Sequence, residues 1–196
     1  MQAFIDHART FHRRAAQTAD DFERLAAGQH PQALFITCSD SRIIPSAVTG
    51  ARPGDLFEMR TAGNIVPPYR PRVPSAEAAT IEYAVEVLGV ADIVVCGHSH
   101  CGAVGAVVRG DDLTDVPAVR DWLAEGAELT PGQEPNQDLA GPVQRHVLDQ
   151  LARLRTHPSV ARRVDAGRLA LHGWFYEVHT GAVLTHRPGA DAFLPL

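Results

Sequence analysis

Ala91-Asp92-Ile93-Val94-Val95-Cys96 is a short, almost wholly apolar run of β-favouring residues that breaks at Gly97 and leads straight into His98-Ser99-His100-Cys101-Gly102. A run this apolar lacks the polar alternation of a half-exposed strand and marks one buried on both faces. Upstream, Ala76 to Leu88 is rich in helix formers, with a partial capping signal at Ser75 and a stop at Gly89. Further back, Leu56-Phe57-Glu58-Met59-Arg60 follows the turn-like Arg52-Pro53-Gly54-Asp55, and Ala33-Leu34-Phe35-Ile36-Thr37 follows Pro31. Strand, helix and strand in alternation predict an α/β fold, a parallel sheet flanked by helices, whose ligands gather beyond the carboxyl ends of the strands. Two polar segments fall on that edge: Cys38-Ser39-Asp40-Ser41-Arg42 after the first run, and His98-Ser99-His100-Cys101 after the third.

Together these segments bring two thiols and an imidazole, with an acid and a base beside them. The two-residue gap between His98 and Cys101 lets both converge on one ion from a strand end and the first turn of the next helix. Structural zinc usually closes its tetrahedron with four protein ligands, and catalytic zinc keeps one position for water, so three ligands point to chemistry. Set against this, Cys38 and Cys101 could be buried thiols acting as small hydrophobes, and Asp40 with Arg42 a plain ion pair anchoring a loop. A thiol at the end of one strand, with an acid and a base close behind it, and a histidine and thiol at the end of another, favour the functional reading. Cys96 lies inside its strand and is read as a packed thiol. His100 is read either as a proton shuttle or as a solvent-facing residue, and His7, His12, His30, His146, His157, His172, His179 and His186 have no partner pattern.

The composition, 45% hydrophobic and 21% charged over 196 residues, is that of one ordinary globular domain with chain enough for a substantial core. A net charge of -5 and scattered arginines lack the basic footprint of a nucleic-acid binder, so no nucleic-acid partner is expected. The amino terminus carries charges where a secretory signal needs an apolar core, and nowhere do about 18 apolar residues run together, so a cytoplasmic protein without membrane insertion is expected. Three cysteines are too few and too odd in number for a disulfide framework.

Residues 2 to 27 place Phe4, Ile5, Ala8, Phe11, Ala15, Phe22 and Leu25 at roughly helical spacing, an amphipathic arm with a break near Thr18 to Asp21. Helices are also expected over 101–109, 115–126 and 142–156, the last two separated by a surface loop at Thr130-Pro131-Gly132-Gln133-Glu134-Pro135. A closing hairpin, Leu169 to Val178 returning through Thr180-Gly181 into Ala182 to His186, extends one edge of the sheet.

Cys38-Ser39-Asp40-Ser41-Arg42, Arg60-Thr61-Ala62-Gly63-Asn64 and Gly97-His98-Ser99-His100-Cys101-Gly102 resemble the three signature blocks of the β-class carbonic anhydrases, and the similarity runs from the first helix to Gly173-Trp174-Phe175-Tyr176. The resemblance implies a mixed β-sheet with a parallel core, zinc held by Cys38, His98 and Cys101, and a catalytic dyad of Asp40 and Arg42. It also implies a homodimer or homotetramer, with the N-terminal helix reaching over the partner. The reaction would be reversible hydration of carbon dioxide to bicarbonate, with Asp40 orienting a zinc-held hydroxide and Arg42 holding that carboxylate off the metal.

Some members of the family close the site by placing the aspartate on zinc, here Asp40, in a form linked to bicarbonate at a separate pocket. That pocket contains a tryptophan three residues before the first cysteine. Phe35 stands there instead, although Arg60 and Tyr176 match other positions of the pocket, so the open site is expected. Gly63 is read as allowing close approach near Asn64, and Gly102 as starting a helix whose free amides face an anionic substrate; both could equally be turn or packing glycines. Phe57, Val66 and Tyr83 are read as core, with pocket lining as the alternative. The motifs leave open hydrolysis of carbonyl sulfide or carbon disulfide on the same site, a non-catalytic bicarbonate-sensing module, and a cysteine nucleophile paired with His98.

Overall fold

Short buried strands set the architecture, and helices fill the connections between them. In chain order the elements are helices α1 (Gln2–Ala15) and α2 (Ala19–Ala26), strand β1 (Ala33–Cys38), helix α3 (Pro45–Thr49), strand β2 (Leu56–Thr61) and helix α4 (Ala76–Glu82). There follow strand β3 (Asp92–His98), helices α5 (Gly102–Arg109), α6 (Pro117–Gly126), α7 (Ala140–Leu154) and α8 (Pro158–Asp165), and strands β4 (Ala170–Tyr176), β5 (Val183–Arg187) and β6 (Ala192–Pro195). This computed structural model describes residues 1–15, 19–129 and 139–196.

The strands form one sheet in the order β2-β1-β3-β4-β5-β6. The first four run parallel, and β5 and β6 pair antiparallel at the far edge. The expected mixed sheet with a parallel core and an edge-extending hairpin is therefore present, with β6 as a further strand. From β1 the chain crosses to β2 on one side, and β3 then lies on the other, so the carboxyl ends of β1 and β3 border the switch in strand order where α/β sheets open a crevice. Register sharpens this: Thr37 pairs with Cys96 and His98 with Tyr176, so Cys38 and His98 finish at the same edge.

Both sheet faces are buried, which is why the strands read as unbroken apolar runs. On one face Leu34, Ile36, Ile93 and Val95 pack with Ile81, Val85, Val147 and Leu154; on the other Phe35, Ile43, Val94 and Cys96 cluster with Trp174 and Tyr176. Helix α7 lies so close to β3 that a Cβ on Gly97 would sit 2.7 Å from both Val143 Cγ1 and Val147 Cγ2. The glycine before His98 is thus a packing requirement that sets how near α7 comes to the site.

The helix expected over 76–88 begins as read, with Ser75 Oγ accepting the Ala78 N–H at 3.1 Å. Beyond Glu82 it widens into a π-helical turn, in which Leu88 N–H donates to the Tyr83 carbonyl, before Gly89 ends it in the left-handed conformation. Helices α3 and α8, of 5 and 8 residues, are too short to announce themselves by periodicity. Of the break expected over Thr18 to Asp21, Thr18 lies outside the described residues and Asp20-Asp21 fall within α2; the loop expected over Thr130 to Pro135 also lies outside them.

Candidate active site

The loop after β1 is built by backbone bonds to its neighbours. Ser39 N–H donates to the Thr61 carbonyl, prolonging the β1–β2 ladder by one rung, and Ile43 N–H closes a turn on the Asp40 carbonyl. Arg60, from β2, then clamps the loop from below. Its Nε and Nη2 donate to the Cys38 carbonyl at 3.2 and 3.0 Å, and Nη2 also reaches the carbonyls of Asp40 at 2.8 Å and Ile43 at 2.9 Å. A fixed guanidinium fork suits this task because it holds several acceptors at once without rotating.

The second loop is pinned just as firmly. Ser99 N–H donates to the Tyr176 carbonyl, and Ser99 Oγ accepts from Val178 N–H at 2.9 Å, tying the end of β3 to the end of β4. His98 is the last residue of β3 rather than the first beyond it, and is fully buried. Its Nδ1 lies 2.9 Å from the Ser99 carbonyl. A carbonyl only accepts, so Nδ1 carries the proton and Nε2 presents a lone pair. That Nε2 is buried with no hydrogen-bond partner among the described residues.

The Cys38 and Cys101 sulfurs and a His98 ring nitrogen all lie within 4.8 Å of one another, a group able to hold a metal ion. The donor set fits zinc. Bonds of about 2.3 Å to sulfur and about 2.0 Å to nitrogen in a tetrahedron separate ligand atoms by roughly 3.5–3.8 Å, and an imidazole whose free nitrogen is buried and unpartnered is poised to donate. The thiols also act on each other: the neighbouring Cys101 thiol lowers the pKa of Cys38, while Cys38 and burial raise that of Cys101. A divalent cation between them would stabilise both as thiolates. Cys96 is wholly buried, its pKa raised by desolvation, and it takes no part.

Beside this cluster Asp40 is gripped by Arg42. Arg42 Nε donates to Oδ1 at 2.9 Å, Nη2 to Oδ2 at 2.6 Å, and the Arg42 backbone N–H to Oδ1 at 2.9 Å. The Arg42 guanidinium holds the Asp40 carboxyl well below the usual carboxylate range, so it is ionised. Arg42 Nη2 also donates to the His100 carbonyl at 3.1 Å, joining the two loops. Asp40 Oδ2 stands 3.8 Å from His98 Nε2, at the border of the thiol–imidazole cluster.

The remaining sequence candidates divide. Gly63 takes a left-handed φ of +73° and its N–H donates to Cys38 Sγ at 3.3 Å, a contact with the site that its neighbour Asn64 does not make. Gly102 opens α5, but a Cβ there would meet nothing within 4 Å, so packing does not demand glycine. His100 is solvent-facing, at a φ of +56° that few non-glycine residues adopt. Val66 is wholly buried in the core and Phe57 packs against it, whereas Tyr83 is 44% exposed and stacks on Phe57. Phe35 lies edge-on to Trp174 in the core.

The histidines without a sequence pattern include one beside the site. His146, on α7, is fully buried with its Nε2 2.8 Å from the Gly63 carbonyl, and Gln150, one turn on, bonds the same loop at Val66. The available signal was their place in the helix: both sit on the stripe that also carries Val143, Val147 and Leu154.

A family model described as carbonic anhydrase matches residues 33–183. The chain belongs to the carbonic anhydrase family, and its fold and relatives place it in the β class. It is 47% identical over 190 residues to a carbonic anhydrase of Pseudomonas aeruginosa, covering 93% of this chain and 86% of that one. It is 44% identical to carbonic anhydrase 1 of Escherichia coli O157:H7, over 100% and 92% of the two chains. The β-carbonic anhydrase CcaA superposes with a TM-score of 0.91 at 36% identity, over 100% of this chain and 99% of that one. A solved structure among the tetrameric β-carbonic anhydrases of Sordaria macrospora gives 0.73 at 31% identity, over 94% of each chain. The enzyme is accordingly a carbonic anhydrase, a lyase, and among the described residues no helix is long and apolar enough to cross a membrane.

Proposed function

We propose that Cys38, His98 and Cys101 hold zinc and that Asp40 and Arg42 act as a dyad in the reversible hydration of carbon dioxide to bicarbonate and a proton. The observation that carries this reading is the cluster of two buried thiols and the buried His98, whose Nε2 has no hydrogen-bond partner among the described residues, with an ionised carboxylate 3.8 Å from that nitrogen. Bound zinc supplies Lewis acidity that makes a water reactive near neutral pH. Asp40 Oδ2, at the border of the cluster, would accept a hydrogen bond from such a water and orient it toward the substrate. Arg42 keeps Asp40 charged and in place, and through the His100 carbonyl keeps the two loops in register. Gly102, at the start of α5, offers a backbone N–H to a developing anion.

The site is proposed to work in the open form, with Asp40 engaged by Arg42 and free of the metal. Support comes from the two side-chain bonds and one backbone bond that Arg42 makes to Asp40, and from Phe35, which packs against Trp174 and brings no indole donor. We read residues 1–196 as one domain with residues 1–27 as an arm, acting in the cytoplasm as a homodimer or homotetramer. The arm's exposed Phe4 and Phe11 support its packing on a partner subunit.

Stopped-flow hydration of carbon dioxide by zinc-loaded protein, beside Asp40→Ala, tests the reading. Fast turnover with one zinc per chain, lost in the variant while the zinc is kept, is the expected result. A fully active Asp40→Ala enzyme, or protein that takes up no zinc, would overturn it.

A further inference from the structure

We propose that His146, braced by Gln150, is a positioning residue for the metal-binding sulfur of Cys38, acting through the backbone of Gly63. The proposal rests on the reading that Cys38 ligates the metal.

Helix α7 presents an apolar stripe to the sheet, yet two of its fully buried positions are a histidine and a glutamine. Polar groups so deep are costly unless every donor and acceptor is matched. Here they are matched by one short segment, residues 62–66, by the Gly126 carbonyl and by each other. Gln150 Oε1 accepts the Val66 N–H at 2.8 Å, and Gln150 Nε2 donates to the Gly126 carbonyl at 3.1 Å and lies 3.4 Å from His146 Nδ1. An amide N–H beside Nδ1 assigns the imidazole proton to Nε2, which donates to the Gly63 carbonyl at 2.8 Å. The tautomer is thereby the one that can hold the loop.

Gly63 is where the grip reaches the site. Its carbonyl is taken by His146 and its N–H points the other way, to Cys38 Sγ at 3.3 Å. The residue is left-handed and a Cβ on it would sit 3.1 Å from Ala103 Cβ, so the loop is set in a conformation open to glycine and confined by α5. Two further bonds pin the same segment: Thr61 Oγ1 donates to the Ile65 carbonyl, and Trp122 Nε1 donates to the Ala62 carbonyl, which shares one planar peptide with the Gly63 N–H. Trp122 thus holds the peptide that carries the N–H on the sulfur, and His146 is the fully buried side chain that fixes the peptide after it. A hydrogen bond to a thiolate draws charge from it and sets the direction of its remaining lone pairs, which tunes how it binds a metal.

The test compares wild-type protein with His146→Leu and His146→Gln, whose amide nitrogen falls near the place of Nε2. Zinc affinity is measured by competition with a chromophoric chelator, and the cobalt-loaded forms are compared by their sulfur-to-cobalt charge-transfer absorption. Expected results are a zinc affinity weakened by about 10- to 100-fold in His146→Leu with a shifted charge-transfer band, and recovery of most of both in His146→Gln. Should His146→Leu fail to fold, His146→Asn replaces it, since its shorter amide reaches only the place of Nδ1; equal zinc affinity for the Gln and Asn variants would overturn the proposal. So would a folded His146→Leu that binds zinc as tightly as wild type with an unchanged cobalt spectrum, even if it melts earlier. Wild-type protein that binds no zinc would instead sink the metal-site reading, and this proposal with it.

Discussion

Gly97→Ala adds one methyl group, and the structure says where it must go. The new Cβ would stand 2.7 Å from Val143 Cγ1 and 2.7 Å from Val147 Cγ2, whereas carbon atoms settle at about 3.5–4.0 Å. Neither valine can step aside cheaply, because both are fully buried and a β-branched residue in a helix has one strongly preferred χ1. Helix α7 must then retreat from β3 by about 1 Å, or the strand must bend. Overpacking of this kind costs roughly 1–3 kcal/mol. At about 2–4 °C per kcal/mol for a chain of this size, the melting temperature should fall by roughly 2–12 °C. The assay is thermal unfolding of metal-loaded protein followed by far-ultraviolet circular dichroism, run as a cycle with Val147→Ala. Truncating Val147 removes one of the two clashing methyls, so it should cost less in the Gly97→Ala background than in the wild type, with a coupling of about 0.5 kcal/mol or more. An unchanged melting temperature, or a strictly additive cycle, would refute the claim that contact between α7 and β3 sets the glycine.

Arg42→Ala removes two of the three N–H bonds on Asp40 and leaves the backbone one, so the carboxyl pKa should climb toward its ordinary 3.8 and hydration should slow by about 10- to 100-fold with zinc retained; a variant with wild-type turnover would remove Arg42 from the dyad. Burial depresses His146 and His157 below 6.5, so both are neutral when folded. Unfolded chain takes up their protons near pH 6.5, so stability is full above that pH and declines as pH falls from 6.5 toward the folded pKa values. Melting curves taken from about pH 8 to about pH 5 should show this decline, and His157→Gln should flatten it; an equal slope in the variant would count against the assignment. Removing the metal with a chelator should lower the melting temperature by roughly 5–11 °C if free zinc had stood 100-fold above its dissociation constant, and equal melting of loaded and stripped protein would mean that the metal does not bind the folded state preferentially.

Much of the site was legible because its residues come in compact blocks. Cys38, Asp40 and Arg42 lie within five positions and His98 and Cys101 within four, each block just past an apolar run, so spacing alone placed them at strand ends. Less legible were interactions whose partners lie far apart in the chain. His146 reaches Gly63 across 83 positions and Gln150 reaches Val66 across 84. Arg60 was legible as part of a motif, but its role as a clamp on three carbonyls appears only when β2 lies beside β1. The last strand, β6, was missed because Ala192–Pro195 is four residues long and ends in proline, a residue that sheets tolerate at edges.

Local pattern by itself determined the buried strands, the alternation with helices, and the two loops that carry thiol, imidazole and carboxylate. These are properties of neighbouring residues: apolar runs that must be hidden, glycines that end helices, and polar residues that cannot stay inside a strand. Tertiary structure decided the strand order β2-β1-β3-β4-β5-β6, which brings two loops 60 positions apart to one crevice, and the tautomer and orientation of His98, set by a carbonyl beside it. It also decided that a histidine and a glutamine on an apolar helix stripe are satisfied rather than stranded. The physical reason is that a hydrogen bond or a metal site depends on where atoms converge in space, and that convergence comes from sheet register and helix packing rather than from any one stretch of chain.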